Sequence, residues 1–212
     1  METGVKGAWR NGALNGSVAV YKIVQRGLAL FDPNAQPTTP QCCYSSSGRD
    51  VSKGADLELT GNVAPGWLIG TGYTYNNSRQ ATLGGAASIP LSTRTPRHLF
   101  RLWTNFGPSS WQGWSVGGTL HAQSATYFDA SACPDLDAEF NCPSGYKALR
   151  NVQKSYAVAS PRIGYQFDRN GQIALSVNNV FDRRYYETLG SANGSNWYGE
   201  PRNFLIRFDG RF

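Results

Sequence analysis

Pro201-Arg202-Asn203-Phe204-Leu205-Ile206-Arg207-Phe208-Asp209-Gly210-Arg211-Phe212 closes the chain, and its alternation decides the fold. Phe204, Ile206, Phe208, Gly210 and Phe212 share one parity; Asn203, Leu205, Arg207, Asp209 and Arg211 share the other. A period of two puts successive side chains on opposite faces of a strand. In a soluble sheet the aromatic face turns to a core and the charged face to bulk water. In a transmembrane barrel the aromatic face meets hydrocarbon and the charged face lines a wet lumen. One strand fits both, so the others must decide.

Composition narrows the choice. The 212 residues suffice for one sizeable domain, and 24 Gly, 11 Tyr, 10 Phe and 6 Trp against a single Met argue for an all-β protein. No apolar run approaches the roughly 18 residues that a membrane-crossing helix needs. Barrel strands are apolar on one face only, so a mildly polar mean hydropathy is compatible with them. The net charge of +6 comes from Lys and Arg scattered through strands and loops, without a basic cluster interleaved with stacking aromatics; nucleic acid is therefore not the expected partner. Cys133 and Cys142 are spaced for a loop disulfide in an oxidising compartment, while adjacent Cys42 and Cys43 fit either a strained bridge or two thiols. Neither pair has zinc-site spacing.

Upstream of the closing strand the alternation repeats. Strands are expected over Gly4–Trp9 and Leu14–Ile23, the second without an assignable outer face, then from Arg49 to Thr60 and from Trp67 to Tyr75. Further strands follow at Arg97–Phe106, from Trp114 to Gln123, from Arg162 to Asp168 and from Ile173 to Asn178, making nine with the last. The connections also alternate. Short turns fall near Asn11-Gly12, Pro65-Gly66, Gly107-Pro108 and Asn170-Gly171. Long loops run from Gln25 to Gly48, Asn76 to Thr93, Phe128 to Lys154 and Asp182 to Glu200. Tight turns on one side and extended loops on the other are the asymmetry of an outer-membrane barrel. Trp9, Trp67, Tyr75, Phe106, Trp114, Tyr127, Phe167 and Phe212 bracket the strands as interfacial girdles. Single-chain bacterial barrels have even strand numbers. The odd count, with no signal peptide before the first strand, predicts that residues 1–212 are the C-terminal part of a larger barrel.

The motifs then resemble a family. Val177-Asn178-Asn179-Val180-Phe181-Asp182-Arg183-Arg184-Tyr185-Tyr186 is similar to a segment near the C-terminus of TonB-dependent outer-membrane receptors, and Tyr198-Gly199-Glu200-Pro201-Arg202-Asn203-Phe204 to the opening of their last strand. Glu2-Thr3-Gly4-Val5-Lys6-Gly7, Lys53 to Glu58 and Thr95-Pro96-Arg97-His98 resemble further strands, the last as in receptors for hydroxamate, coprogen and pyoverdine siderophores. A terminal Phe212 resembles the insertion signal of outer-membrane barrels. The resemblance implies an antiparallel barrel of about twenty-two strands, of which this chain supplies the last nine without the N-terminal plug. It further implies uptake of a ferric siderophore, driven through that plug by TonB, in a Gram-negative outer membrane. Lipid, lipopolysaccharide and the barrel assembly machinery are the other implied partners. Iron arrives chelated, so neither a protein metal ligand nor a cofactor is expected.

Candidate ligand contacts are aromatic and amide groups on the outer loops: Tyr127, Phe128 and Tyr146 around the Cys133–Cys142 loop, and Asn196, Trp197 and Tyr198 in the last one. Asn178, Asn179, Phe181, Asp182, Tyr185, Tyr186, Gly199, Pro201, Arg202 and Phe212 read as scaffold: the Asn pair to bond backbone where a strand leaves the sheet, Asp182 to close its own turn, Pro201 to open a strand, Arg202 to pair with Glu200. His98 and His121 read as lumen lining. No carboxylate pair, nucleophile elbow or His-Glu metal motif supports an enzyme. The rival is a secreted or surface β-sandwich, an adhesin-like binding domain, which would stay monomeric without detergent.

Overall fold

The computed structural model describes residues 1–31, 44–81, 89–90, 93–139, 141–190 and 195–210. Their elements are β1 (Glu2–Trp9), β2 (Leu14–Phe31), β3 (Tyr44–Ala64), β4 (Trp67–Ala81), β5 (Ile89–Pro90), β6 (His98–Phe106), β7 (Trp114–Gln123), β8 (Thr126–Ala132), β9 (Lys147–Gln153), β10 (Tyr156–Gln166), β11 (Gly171–Asn178), β12 (Tyr186–Thr188), β13 (Trp197–Tyr198) and β14 (Asn203–Gly210). One antiparallel sheet runs β1-β2-β3-β4-β6-β7-β10-β11-β14, with β5 paired to β4. Its nine long strands are those expected from the alternation. Among the described residues the sheet does not close: β1 and β14 are not paired.

Register fixes what each face contains. Ile206 lies opposite Leu175, Leu175 opposite Ile163, Ile163 opposite Val116, Val116 opposite Phe106 and Phe106 opposite Trp67. Directly paired residues project to the same side, so this is one apolar row across six strands. Val5, Val18, Leu57, Tyr73 and Phe100 extend that face across the remaining strands. The opposite row reads Lys6, Ser17, Glu58, Gly72, Arg101 and His121. Its polar groups bond laterally: Thr74 donates to Asp56 at 2.7 Å and Ser52 to Asn76 at 3.0 Å. Phe204, Ile206 and Phe208 are exposed, and no second sheet packs on them among the described residues. A sandwich would need that second layer.

Local chemistry sets the short-turn end. Pro65-Gly66 turns β3 into β4 with Gly66 at φ 74°, the positive value that this turn position requires. The next turn docks on it, Gly107 N–H donating to the Gly66 carbonyl at 2.8 Å. Aromatics collect at this end: Phe106 contacts Trp67 at 5.9 Å and Trp111 at 5.0 Å, Trp114 lies 4.7 Å from Tyr165, and Phe167 lies 5.9 Å from Phe208. This is the expected girdle, with Tyr75 at the far end beside His98. Tyr127 departs from it, because it lies in the hairpin beyond β7. Phe212, Cys42 and Cys43 lie outside the described residues.

The far end corrects three readings. β2, β3 and β4 continue into the segments read as loops from Gln25 and from Asn76, pairing Gln25 with Asp50 and Arg49 with Ala81. The Phe128–Lys154 loop contains the β8–β9 hairpin. His98 shares the apolar parity of Phe100, and its Nδ1 bonds the Tyr73 hydroxyl at 2.7 Å; only His121 lies on the polar face.

Candidate functional site

Above β7 and β10 the β8–β9 hairpin presents two faces. On one, Arg150 grips Asp129 with two bonds of 2.6 and 2.9 Å and lies 4.3 Å from the Tyr127 ring. The bond to Asp129 raises the Arg150 guanidinium further above its ordinary range. The pair is exposed, so it shapes the surface more than it stabilises it. On the other face Phe128 sits under Arg94 at 5.0 Å, and Asn151 donates to Asn196 Oδ1 at 3.0 Å. Tyr127 and Phe128 thus point to opposite sides, as neighbours on a strand must.

That second face receives the last loop. Buried Gln153 accepts the Tyr186 N–H at 2.6 Å, and Asn196 Oδ1 also accepts the Gly190 N–H at 2.9 Å. β12 and β13 then pair, stacking Tyr186 on Tyr198 at 4.7 Å with their hydroxyls 3.2 Å apart. This hydrogen bond raises the Tyr186 phenol above its usual value. Trp197 stands exposed beside them. Below, Tyr185 stacks on Tyr156 at 4.4 Å and Tyr156 on His121 at 5.9 Å, a column of rings from the polar face of the sheet into the loop. Burial first, then Glu187 and Glu200, push the Tyr185 phenol up. A Cβ at Gly199 would lie 2.0 Å from the Tyr185 ring, so a side chain added there would push that ring aside.

The scaffold residues meet at one point. Asn179 is 2% exposed and its side chain donates to the carbonyls of Arg183 and Glu200, both at 2.9 Å, while accepting the Arg183 N–H at 2.8 Å. Asn178 bonds Asn203 across the strands at 2.9 Å. Four scaffold roles differ from expectation, and the first is that of Asn178, whose bond is to a side chain and not to backbone. Asp182 accepts the N–H of Arg202, twenty positions on, at 3.1 Å and so ties two segments instead of closing its own turn. Arg202 forms no ion pair with Glu200, whose carboxylate takes the Asn203 amide at 3.3 Å instead. Pro201 lies two residues ahead of β14.

Cys133 and Cys142 form the expected disulfide, with Cα atoms 5.7 Å apart. Asp135 lies within 4.8 Å of both sulfurs, but paired sulfurs carry no thiolate to hold a metal. Tyr146 is exposed at the edge of this loop. The structure therefore gathers Phe128, Asn196, Trp197 and Tyr198 around the docked loop and leaves Tyr127 and Tyr146 apart. Tyr156, Gln153 and Asn151 were missed, since each acts on a partner that only the fold brings near.

An antiparallel sheet, oily on one face and wet on the other, with tight turns at one end and aromatic loops at the other, defines an outer-membrane barrel wall. Residues 1–180 match the family described as "TonB dependent receptor-like, beta-barrel", and the chain belongs to that family. It is 31% identical over 211 residues to the ferric-pyoverdine M114 receptor PbuA of Pseudomonas sp. (strain M114), covering 97% of this chain and 23% of that receptor. Against the ferripyoverdine receptor of Pseudomonas aeruginosa it is 28% identical over 209 residues, covering 97% and 24%. The crystal structure of that receptor bound to ferripyoverdine superposes with a TM-score of 0.81, at 28% identity, over 99% of this chain and 26% of the other. The chain thus spans about a quarter of the length of these relatives.

Proposed function

We propose that this chain is the C-terminal portion of an outer-membrane receptor that takes up a ferric siderophore with energy from TonB, acting as receptor and transporter and not as an enzyme. The single observation that carries the reading is the two-faced pairing that runs through all nine long strands. A row from Ile206 to Trp67 suits hydrocarbon, and a row from Lys6 to His121 suits a wet lumen. The chain spans about a quarter of a related receptor's length, as a portion of such a receptor would. The relatives named as receptors for ferric pyoverdines support the chelate class.

In this reading the loop platform meets the ligand. Trp197 and the stacked Tyr186–Tyr198 pair offer flat apolar faces with hydroxyls at the edge, and Asn151 and Asn196 offer amides, a set suited to an amphipathic iron chelate. Phe128, opposite Asn151 in the hairpin, is a further candidate, and Tyr127 and Tyr146 are secondary ones. Replacing Trp197 and Tyr198 by Ala in the complete receptor and titrating a fluorescent ferric pyoverdine tests this. Aromatic anchors of this kind carry about 2 kcal/mol, so affinity should fall roughly 30-fold. An unchanged Kd for the double variant would remove the last loop from the ligand site.

A further inference from the structure

In the interior of the sheet, where β4 runs between β3 and β6, the wet face carries a trough floored by two glycines. Thr60 pairs with Gly70 and Gly70 with Trp103; in the next row Glu58 pairs with Gly72 and Gly72 with Arg101. The middle strand therefore offers no side chain here, and Glu58 and Thr60 face Arg101 and Trp103 over two strand spacings, roughly 10 Å. These residues line a cavity of about 330 Å³ at a height between the Trp67–Phe106 and Tyr75–His98 pairs. The Trp103 indole lies over Gly70, where a Cβ would come within 2.0 Å of its Nε1. Gly72 is different. A Cβ there would meet only the Leu57 carbonyl, at 3.9 Å, its φ is not positive, and the pairing through it runs without a bulge. The Glu58 carboxylate, the Arg101 guanidinium and the Trp103 indole N–H have no hydrogen-bond or ion-pair partner among the described residues.

Nothing in the backbone requires glycine at 72, and a bare position inside a regular strand weakens the sheet; such a gap is characteristic of close approach by another group. The walls set what approaches. The indole offers a flat face, the guanidinium fork fits oxygen-rich anionic groups, and the carboxylate on the opposite wall accepts donors. Together they complement a flat group with polar edges, on the wet face between the outer loop platform and the short-turn, periplasmic end. We propose that Glu58, Gly72, Arg101 and Trp103 form an inner station that holds one flat, charged portion of the iron chelate in transit after it leaves the outer loops. The proposal rests on the receptor reading above and adds to it a second binding site, at membrane depth, with its residues. A trough of this size takes part of a chelate and not the whole, so it serves passage and not capture.

A ferric pyoverdine carrying a photoreactive azide tests this on the complete receptor in cells, with the labelled peptides mapped by mass spectrometry and folded receptor counted by heat-modifiable gel mobility. In energised cells label should reach both the last loop and the strand segments 58–60 and 101–103; in de-energised cells it should reach the loop alone. Gly72→Val adds a side chain where the backbone has room for one, and should cut the inner label and the uptake rate per surface-bound chelate about tenfold. Trp103→Ala removes one aromatic anchor and should also lower the inner label about tenfold, while Trp103→Phe keeps a ring and restores most of it. Label on the loop with none on the trough in energised cells overturns the proposal and leaves the receptor reading standing. So does an inner label indifferent to both Gly72→Val and Trp103→Ala. No label at either place, with no iron uptake, sinks the receptor reading and the inner station with it.

Discussion

Two adjacent residues of β14 separate the two faces most sharply. Ile206 is 70% exposed on the apolar face, between Phe204 and Phe208 and opposite Leu175. Leu205 lies on the other face, opposite Ser176, with Arg207 two residues on. An arginine on the lipid face costs roughly 2–4 kcal/mol near the bilayer midplane, so Ile206→Arg should destabilise the inserted sheet by about 3 kcal/mol. That is a change of roughly a hundredfold in the folded ratio, or about 1.5 M in urea midpoint at a typical slope. Leu205→Arg meets water instead; repulsion from Arg207 and Arg162 is screened, and the cost should stay under about 1 kcal/mol. Urea titration in lipid vesicles, followed by heat-modifiable gel mobility, reads both variants. Equal losses at the two positions refute the reasoning. So does a loss at Ile206 that persists unchanged when the vesicles are replaced by plain buffer.

Other changes act on the loop platform. Asn179→Ala strips the shared partner from Arg183 and Glu200 and should cost about 3 kcal/mol locally, seen as faster amide exchange over 180–202 while β1 to β7 stay protected. Gly199→Ala drives a methyl into the Tyr185 ring and should cost about 1–3 kcal/mol, unstacking Tyr185 from Tyr156 in the aromatic NMR or near-ultraviolet signal. Reducing the Cys133–Cys142 bridge should expose the ten-residue ring it closes to protease, with the sheet's urea midpoint unmoved, because the bridge joins residues of one loop.

The nine sheet strands were legible because two solvents, hydrocarbon and lumen water, force a period of two on them. Val116 against Ser115, or Ile206 against Arg207, is that constraint written in residues. Where a strand rises beyond the lipid the constraint lapses. Thus Arg26 to Phe31 and Tyr44 to Gly48 carry no alternation and read as loop, yet pair across β2 and β3. Thr126 to Ala132 failed for the same reason, and with it the opposite orientation of Tyr127 and Phe128. The outer face of β2 was undecided because Val18 and Val20 alternate with Ala19 and Tyr21; pairing with Val5 and Leu57 resolves it. His98 misled because a polar residue at the end of an apolar row can bond to a tyrosine there, as it does to Tyr73. At the platform, Asn179 was readable as a backbone partner, since a short amide serves a strand exit, whereas Asn178 bonds the Asn203 side chain. The distant Glu200 carbonyl was not readable, because it reaches Asn179 only through the loop's docking.

The inside-out polarity of the sheet is tested most directly by nitroxide side chains, carried on a non-natural amino acid, placed one at a time from 204 to 209 in membrane-inserted protein. Collision with oxygen, which concentrates in lipid, and with a water-soluble nickel chelate is then measured at each. The account predicts a strict two-residue oscillation, with oxygen favoured at 204, 206 and 208 and nickel at 205, 207 and 209. Oscillation of the opposite phase, or nickel access at all six positions, would contradict it.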